Sequence, residues 1–138
     1  MNVMTTAWTT EELQRIGAAD ELEIAARRAD GSYDPYTTIW VVRAGDDVYV
    51  RSWRGPRGRW YRHAVTSREG RVRVAGTERE VAFSHPGATP HEDLDRGYRT
   101  KYARYDPAYV EPMTAGPARA ATLRLDPADH DIRRDEHE

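Results

Sequence analysis

Two strand-like runs, at positions 37–43 and 47–53, set the main constraint on this chain, because only Ala44, Gly45 and Asp46 separate them. The first, Thr37-Thr38-Ile39-Trp40-Val41-Val42-Arg43, is β-branched and aromatic, and the second alternates apolar and polar residues. Such composition favours pleated strands, and the intervening turn chemistry predicts an antiparallel hairpin. Further strands are legible on either side. Residues 21–28 place Leu22, Ile24 and Ala26 on one face. Residues 70–75 and 78–83 form a second hairpin around Gly76, with Val72, Val74, Val81 and Phe83 facing inward. Residues 121–126 supply a last strand.

Helix signals fall between these runs. Thr9 and Glu12 have capping-box spacing, Trp8 and Leu13 the spacing of a hydrophobic staple, and Gly17 a stop. A second short helix is predicted over 58–67, where Trp60, Ala64 and Val65 share helical spacing. A longer one opens at Thr89 as N-cap with Pro90 and Glu92 behind it, and Pro107 stops it. Its Leu94, Tyr98, Tyr102 and Tyr105 make an aromatic stripe expected to be a packing face or dimer contact. The order of elements predicts an α+β domain: a split antiparallel β-barrel of about six strands with two or three helices, closed by its last strand.

At 138 residues the chain fits one domain, expected over 1–125. The remainder, 126–138, carries six acids against two arginines and almost nothing apolar, and is expected to be a flexible acidic tail. Cysteine is absent, which excludes disulfides, thiolate nucleophiles and cysteine-based metal sites. The five histidines show no metal-ligand spacing. No apolar run approaches the ~20 residues that span a bilayer, and no export signal opens the chain, so a cytoplasmic protein is expected.

The net charge of −2 conceals a basic middle, with eight arginines against one acid, Glu69, between Arg51 and Arg73. Within it, Arg51, Arg54, Arg59 and Arg62 offer guanidinium forks that match phosphate oxygens. Gly55 and Gly58 are expected to let backbone N–H groups approach an anion, and Ser52 to add a hydroxyl. Trp40, Trp53, Trp60 and Tyr61 could wall a planar ring, the alternative being that they pack in the core. His63 stands beside the cluster as a proton donor or an ordinary surface histidine. Arginines interleaved with aromatic residues also suit nucleic acid, against which stand the near-neutral whole and the acidic end.

Trp8-Thr9, Glu12-Leu13, Ile16 to Ala19, residues 38–43, 50–52 and 58–62 resemble a family of small bacterial proteins of unknown function over most of the chain. More distantly, Trp40, Ser52 and Trp60-Tyr61 in this element order resemble the split-barrel class of pyridoxamine-phosphate oxidases, flavin reductases and deazaflavin-dependent nitroreductases. That resemblance implies a homodimer and a flavin-type cofactor, FMN or a deazaflavin, with its phosphate gripped by basic and hydroxyl residues near strand ends. It implies cofactor contacts from Trp40, Arg51, Ser52, Arg54, Gly55, Arg59, Trp60, Tyr61 and Arg62, and oxidoreductase activity. Asp30 and Asp34 put negative charge in the turn before the hairpin, where deazaflavin-binding relatives carry a basic turn, and are expected to repel a phosphate there. A dimeric module that has lost its cofactor is the non-enzymatic alternative.

Overall fold

In the computed structural model, which describes residues 3–130, the apolar run 37–44 does not form one strand. It divides at Val41 into β3 (Thr37–Trp40) and β4 (Val42–Ala44). Around it lie β1 (Val3–Thr5), β2 (Glu21–Ala26), β5 (Asp47–Arg51), β6 (Glu69–Val74), β7 (Thr77–Ser84) and β8 (Thr122–His130). The helices are α1 (Thr10–Ala18), α2 (Arg59–Ser67), α3 (His91–Lys101), α4 (Pro107–Val110) and α5 (Gly116–Ala120). The strands pair antiparallel in the order β3-β2-β6-β7-β8-β5-β4, with β1 added to β8. β3 and β4 stand at opposite ends of that order with only Val41 between them, so the sheet must curl until its ends meet. The result is a split barrel, as the alternating runs predict.

Closure therefore differs from expectation. The last strand lies mid-sheet, between β7 and β5, and the split run 37–44 joins the two edges. The predicted hairpin survives only as Val42–Ala44 against Asp47–Tyr49, while β3 pairs with β2. β8 runs to His130 and pairs with β1 and β7, so residues 126–130 are strand, not tail; residues 131–138 lie outside the described residues. Edges on both sides of β8 offer partners to its backbone, which outweighs the acidic, apolar-poor composition that suggested a tail. With the split and β1 the strand segments among the described residues number eight, two more than about six.

The pleat explains the core. On β5, Val48 and Val50 face the barrel interior with Leu22, Ile24, Val72, Val81, Phe83, Leu123 and Leu125. Tyr49 faces the other way, beneath α3, with Val42, Leu94, Tyr98 and Tyr102. Both predicted faces, the inward set of the β6–β7 hairpin and the tyrosine stripe, are thus buried, although Tyr105 is only partly covered. α1 caps one end of the interior through Leu13 and Ile16, its capping box formed by Thr9 and Glu12. Trp8 Nε1 donates to the Leu125 carbonyl at 2.9 Å. α3 ends at Lys101, short of Pro107, and Thr89 bonds the Tyr49 hydroxyl at 2.7 Å instead of capping the helix.

The break at Val41 leaves its peptide groups without strand partners, and Val41 is wholly buried. Its N–H donates to the Tyr102 hydroxyl at 3.0 Å, which itself donates to the Asp20 carbonyl at 2.6 Å. Its carbonyl accepts from Lys101 Nζ at 2.8 Å, and the same ammonium reaches the Ile16 carbonyl at 3.1 Å. The end of α3 thus fastens the barrel seam to the end of α1. Trp40 stacks on the Tyr102 ring at 3.9 Å and 3°. Burial pushes the Lys101 ammonium down to about 8 from an ordinary 10.5, with Asp20 opposing.

Removing the seam hydroxyl in Tyr102→Phe strands a buried N–H, and is expected to cost ~1–3 kcal/mol in urea unfolding. Lys101 binds fewer protons folded than unfolded between about pH 8 and 10.5. Over that range wild type should gain stability relative to Lys101→Met as pH rises, a widening gap that urea melts at several pH values would show.

Candidate functional site

β5 delivers Arg51 and Ser52 to a turn whose shape is set from both sides. Ser52 N–H donates to the Ala121 carbonyl, Gly55 N–H to the Ser52 carbonyl, and Gly58 N–H to the Gly55 carbonyl. Gly55 has φ +71° and lies against Pro117 of α5, where a Cβ would come within 2.8 Å of the proline Cβ. A Cβ at Gly58 would overlap the Ser52 hydroxyl. Both glycines therefore permit close packing, and their N–H groups close the turn instead of facing an anion as expected.

Beside this turn is a pocket of about 390 Å³ lined by β3 (Thr37, Thr38, Ile39, Trp40), the 51–54 segment, Gly58, Trp60, Tyr109 and Met113. That volume lies within the usual range for small-molecule sites. Four aromatic residues, Trp40, Trp53, Trp60 and Tyr109, stand in its walls, and two of them, Trp53 and Tyr109, are 57% and 61% exposed. Among the described residues the Ser52 hydroxyl has no hydrogen-bond partner. The pocket shares Thr37, Arg54 and Trp60 with an adjoining groove of about 310 Å³, whose walls include Arg28, Asp34, Arg59 and His63.

Arg51 has a different task from the one its sequence context suggested. It is 1% exposed, and every one of its donors is directed inward. Nε donates to the Thr122 hydroxyl at 3.0 Å; Nη1 donates to Asp95 at 2.6 Å and to the Met113 carbonyl at 2.8 Å. Nη2 meets His91 Nδ1 at 3.2 Å and the His91 carbonyl at 3.4 Å. A guanidinium only donates, so His91 Nδ1 accepts and its hydrogen is assigned to Nε2. Burial would raise the Asp95 carboxyl, but hydrogen bonds from Arg119 and Arg51 outweigh it and hold the carboxyl below its usual range. Arg51 backs the pocket as a tie between β5, α3 and β8.

Five of the nine residues expected in the site, Trp40, Arg51, Ser52, Arg54 and Trp60, line the pocket. Arg59 lines the groove. Gly55, Tyr61 and Arg62 line neither; Tyr61 packs edge-on to Trp60 and donates to the Ala120 carbonyl at 3.3 Å. The β3 threonines, Tyr109 and Met113 were not foreseen, because the β3–β4 split and the 107–120 fold carry no local motif. Among the described residues Arg54, Arg57, Arg59, Arg62 and Arg68 make no side-chain hydrogen bond or ion pair, whereas most other arginines do. No helix among these residues is long and apolar enough to cross a membrane.

Residues 12–125 match the model of a family described as an uncharacterized protein conserved in bacteria, DUF2255. The chain belongs to that family. No curated protein matches the DUF2255 chain. Among solved structures it is similar to the heme storage protein HutZ from Vibrio cholerae, at 11% identity and TM-score 0.59 over 91% of this chain and 93% of that one. It is also similar to an F420 reductase, at 11% identity and TM-score 0.55 over 85% and 92%. A conserved hypothetical protein from Mycobacterium tuberculosis gives TM-score 0.54 at 11% identity over 88% and 80%. These likenesses establish a shared split-barrel fold.

Arg51→Ala leaves Asp95 buried with one cation fewer and should cost ~3–5 kcal/mol. Arg54→Ala, at an exposed and unpaired position, should change stability by no more than ~0.5 kcal/mol. Chemical denaturation of the two variants checks the contrast.

Proposed function

We propose that this protein binds a flavin- or deazaflavin-type phosphorylated cofactor, with its ring in the aromatic pocket and its phosphate toward Arg54 and Arg59. The observation that carries the reading is the junction of the two spaces: a pocket walled by Trp40, Trp53, Trp60 and Tyr109 opens, across Trp60 and Arg54, onto guanidiniums with no carboxylate partner. A planar, weakly polar ring gains from the rings and from excluding water, and a phosphate gains from bidentate forks. The donor set fits such a group. Ser52 contributes an uncommitted hydroxyl, and Arg51 holds the wall behind it.

When bound, such a cofactor supplies hydride chemistry, and the oxidoreductase activity proposed here depends on it. The protein binds, orients and shields the ring. Trp53 and Tyr109, exposed at the rim, suit a site completed by a second copy, in keeping with a cytoplasmic homodimer. The unpaired arginines between 54 and 68 also favour a second reading, binding of nucleic acid through the same face.

Titration with FMN and with a deazaflavin, followed by tryptophan fluorescence, is expected to show saturable quenching. Arg54→Ala should weaken it by about tenfold or more, and Arg15→Ala, on α1 and lining neither space, should leave it unchanged. Absence of binding by both ligands would leave the cofactor-free dimer; binding of an oligonucleotide with a steep salt dependence would favour the second reading.

A further inference from the structure

His63 and Asp34 sit where the 310 Å³ groove meets a second, wider hollow, and both spaces are lined by Arg28, Asp34 and His63. Asp34 Oδ2 lies 2.7 Å from His63 Nδ1, and Asp34 Oδ1 accepts from Arg28 Nε at 2.9 Å. Burial would raise the Asp34 carboxyl, but hydrogen bonds from His63 and Arg28 outweigh it and hold it below its usual range. A carboxylate only accepts, so Nδ1 carries the hydrogen. In the neutral ring Nε2 is then a bare acceptor, which repels an anion; only the imidazolium offers an N–H there.

The charged groups around the ring all bear on this equilibrium. On α2 itself lie Arg59 and Arg62; from the turn before β3 come Arg28 and Asp34, from the 52–58 turn Arg54, and at the far edge of the wider hollow Arg27 pairs with Glu69 at 3.2 Å. Arg54 and Arg59 have no anionic partner, whereas Asp34 already serves Arg28 and His63. The floor is apolar, from Ile24, Ala26, Pro35 and Trp60. A phosphate placed in such a groove meets two uncommitted guanidiniums and strengthens the case for charge on His63.

We infer that the groove is the seat of the ligand's anionic group, and that His63 takes up a proton as that group binds, the imidazolium being held between Asp34 and the anion. The assignment rests on the proposed cofactor reading for the identity of the anion. It adds a property that reading does not contain: affinity linked to one proton, falling by up to about tenfold per pH unit between the pH at which the free protein gives up that proton and the higher pH at which the complex does.

The test is calorimetric titration of the full chain with FMN at pH 7.5 in two buffers of different ionisation enthalpy, which reads proton uptake directly. Wild type should take up more protons than His63→Gln, and riboflavin, which has the ring without the phosphate, should show no such difference. His63→Lys, a permanent cation, should keep the affinity and lose the pH dependence. FMN binding with equal uptake in wild type and His63→Gln, or riboflavin binding with the same uptake as FMN, overturns this inference and leaves the cofactor reading intact. If neither FMN nor a deazaflavin binds, that reading fails, and inorganic pyrophosphate becomes the probe. Uptake with pyrophosphate that His63→Gln abolishes then upholds the groove as a proton-linked anion site, and no binding or unchanged uptake overturns it.

Discussion

The peptide of Val41 is the point on which the barrel depends. A sheet whose end strands are consecutive in sequence can close only if one residue leaves one edge and enters the other, and that residue loses its ladder partners on the way. In a wholly buried position an unpaired N–H or C=O is costly, so the closure is stable only because Tyr102 and Lys101 supply substitutes from α3. The same two side chains reach Asp20 and Ile16, so α1, the seam and α3 are held at one knot. The stack of Trp40 on Tyr102 then fixes a wall of the pocket from the structural side.

A second constraint acts at the opposite wall. Burying a guanidinium is tolerable only with its donors met, and Arg51 meets them from β8, α3 and the 111–114 turn together. That demand dictates how the 107–120 segment, with its short helices, returns across the barrel, and thereby places Tyr109 and Met113 beside the pocket. The aromatic cavity is in this sense a by-product of two satisfied burials, one of a peptide and one of a cation.

Much of this was legible before the fold was known. Period-two alternation marked β2, β5, β6 and β7, and the Thr9–Glu12 box marked α1, because each signal is local and its physics is local. The split at Val41 was not legible, since Ile39, Trp40, Val41 and Val42 read as one uninterrupted apolar strand and the partners of Val41 lie some sixty residues away. The extension of β8 past Asp126 was hidden for a similar reason: acidic residues and the near-absence of apolar ones argue for a tail, and only β1 and β7 on either side make a strand of them. In the site, the type of residue was readable and its duty was not. Arg51 and Arg54 look alike in sequence, three positions apart, yet among the described residues one is enclosed by five acceptors and the other has none.

That difference is the strongest functional signal in the molecule. In a chain where arginine is nearly the only cation, density alone says little, because most guanidiniums simply match the carboxylates around them. The segment from Arg54 to Arg68 breaks that pattern: five arginines stand without side-chain partners although acids outnumber basic residues in the chain as a whole. Like charges held close together on α2 and the preceding turn repel one another, and a fold under no other demand could relieve the repulsion with a nearby Glu or Asp. The acid nearest the groove, Asp34, is instead turned to Arg28 and His63, which leaves Arg54 and Arg59 facing the space beside Trp60. An anion from outside the chain would supply the missing counter-charge, and under the proposed reading it arrives attached to the ring that the aromatic pocket on the other side of Trp60 receives.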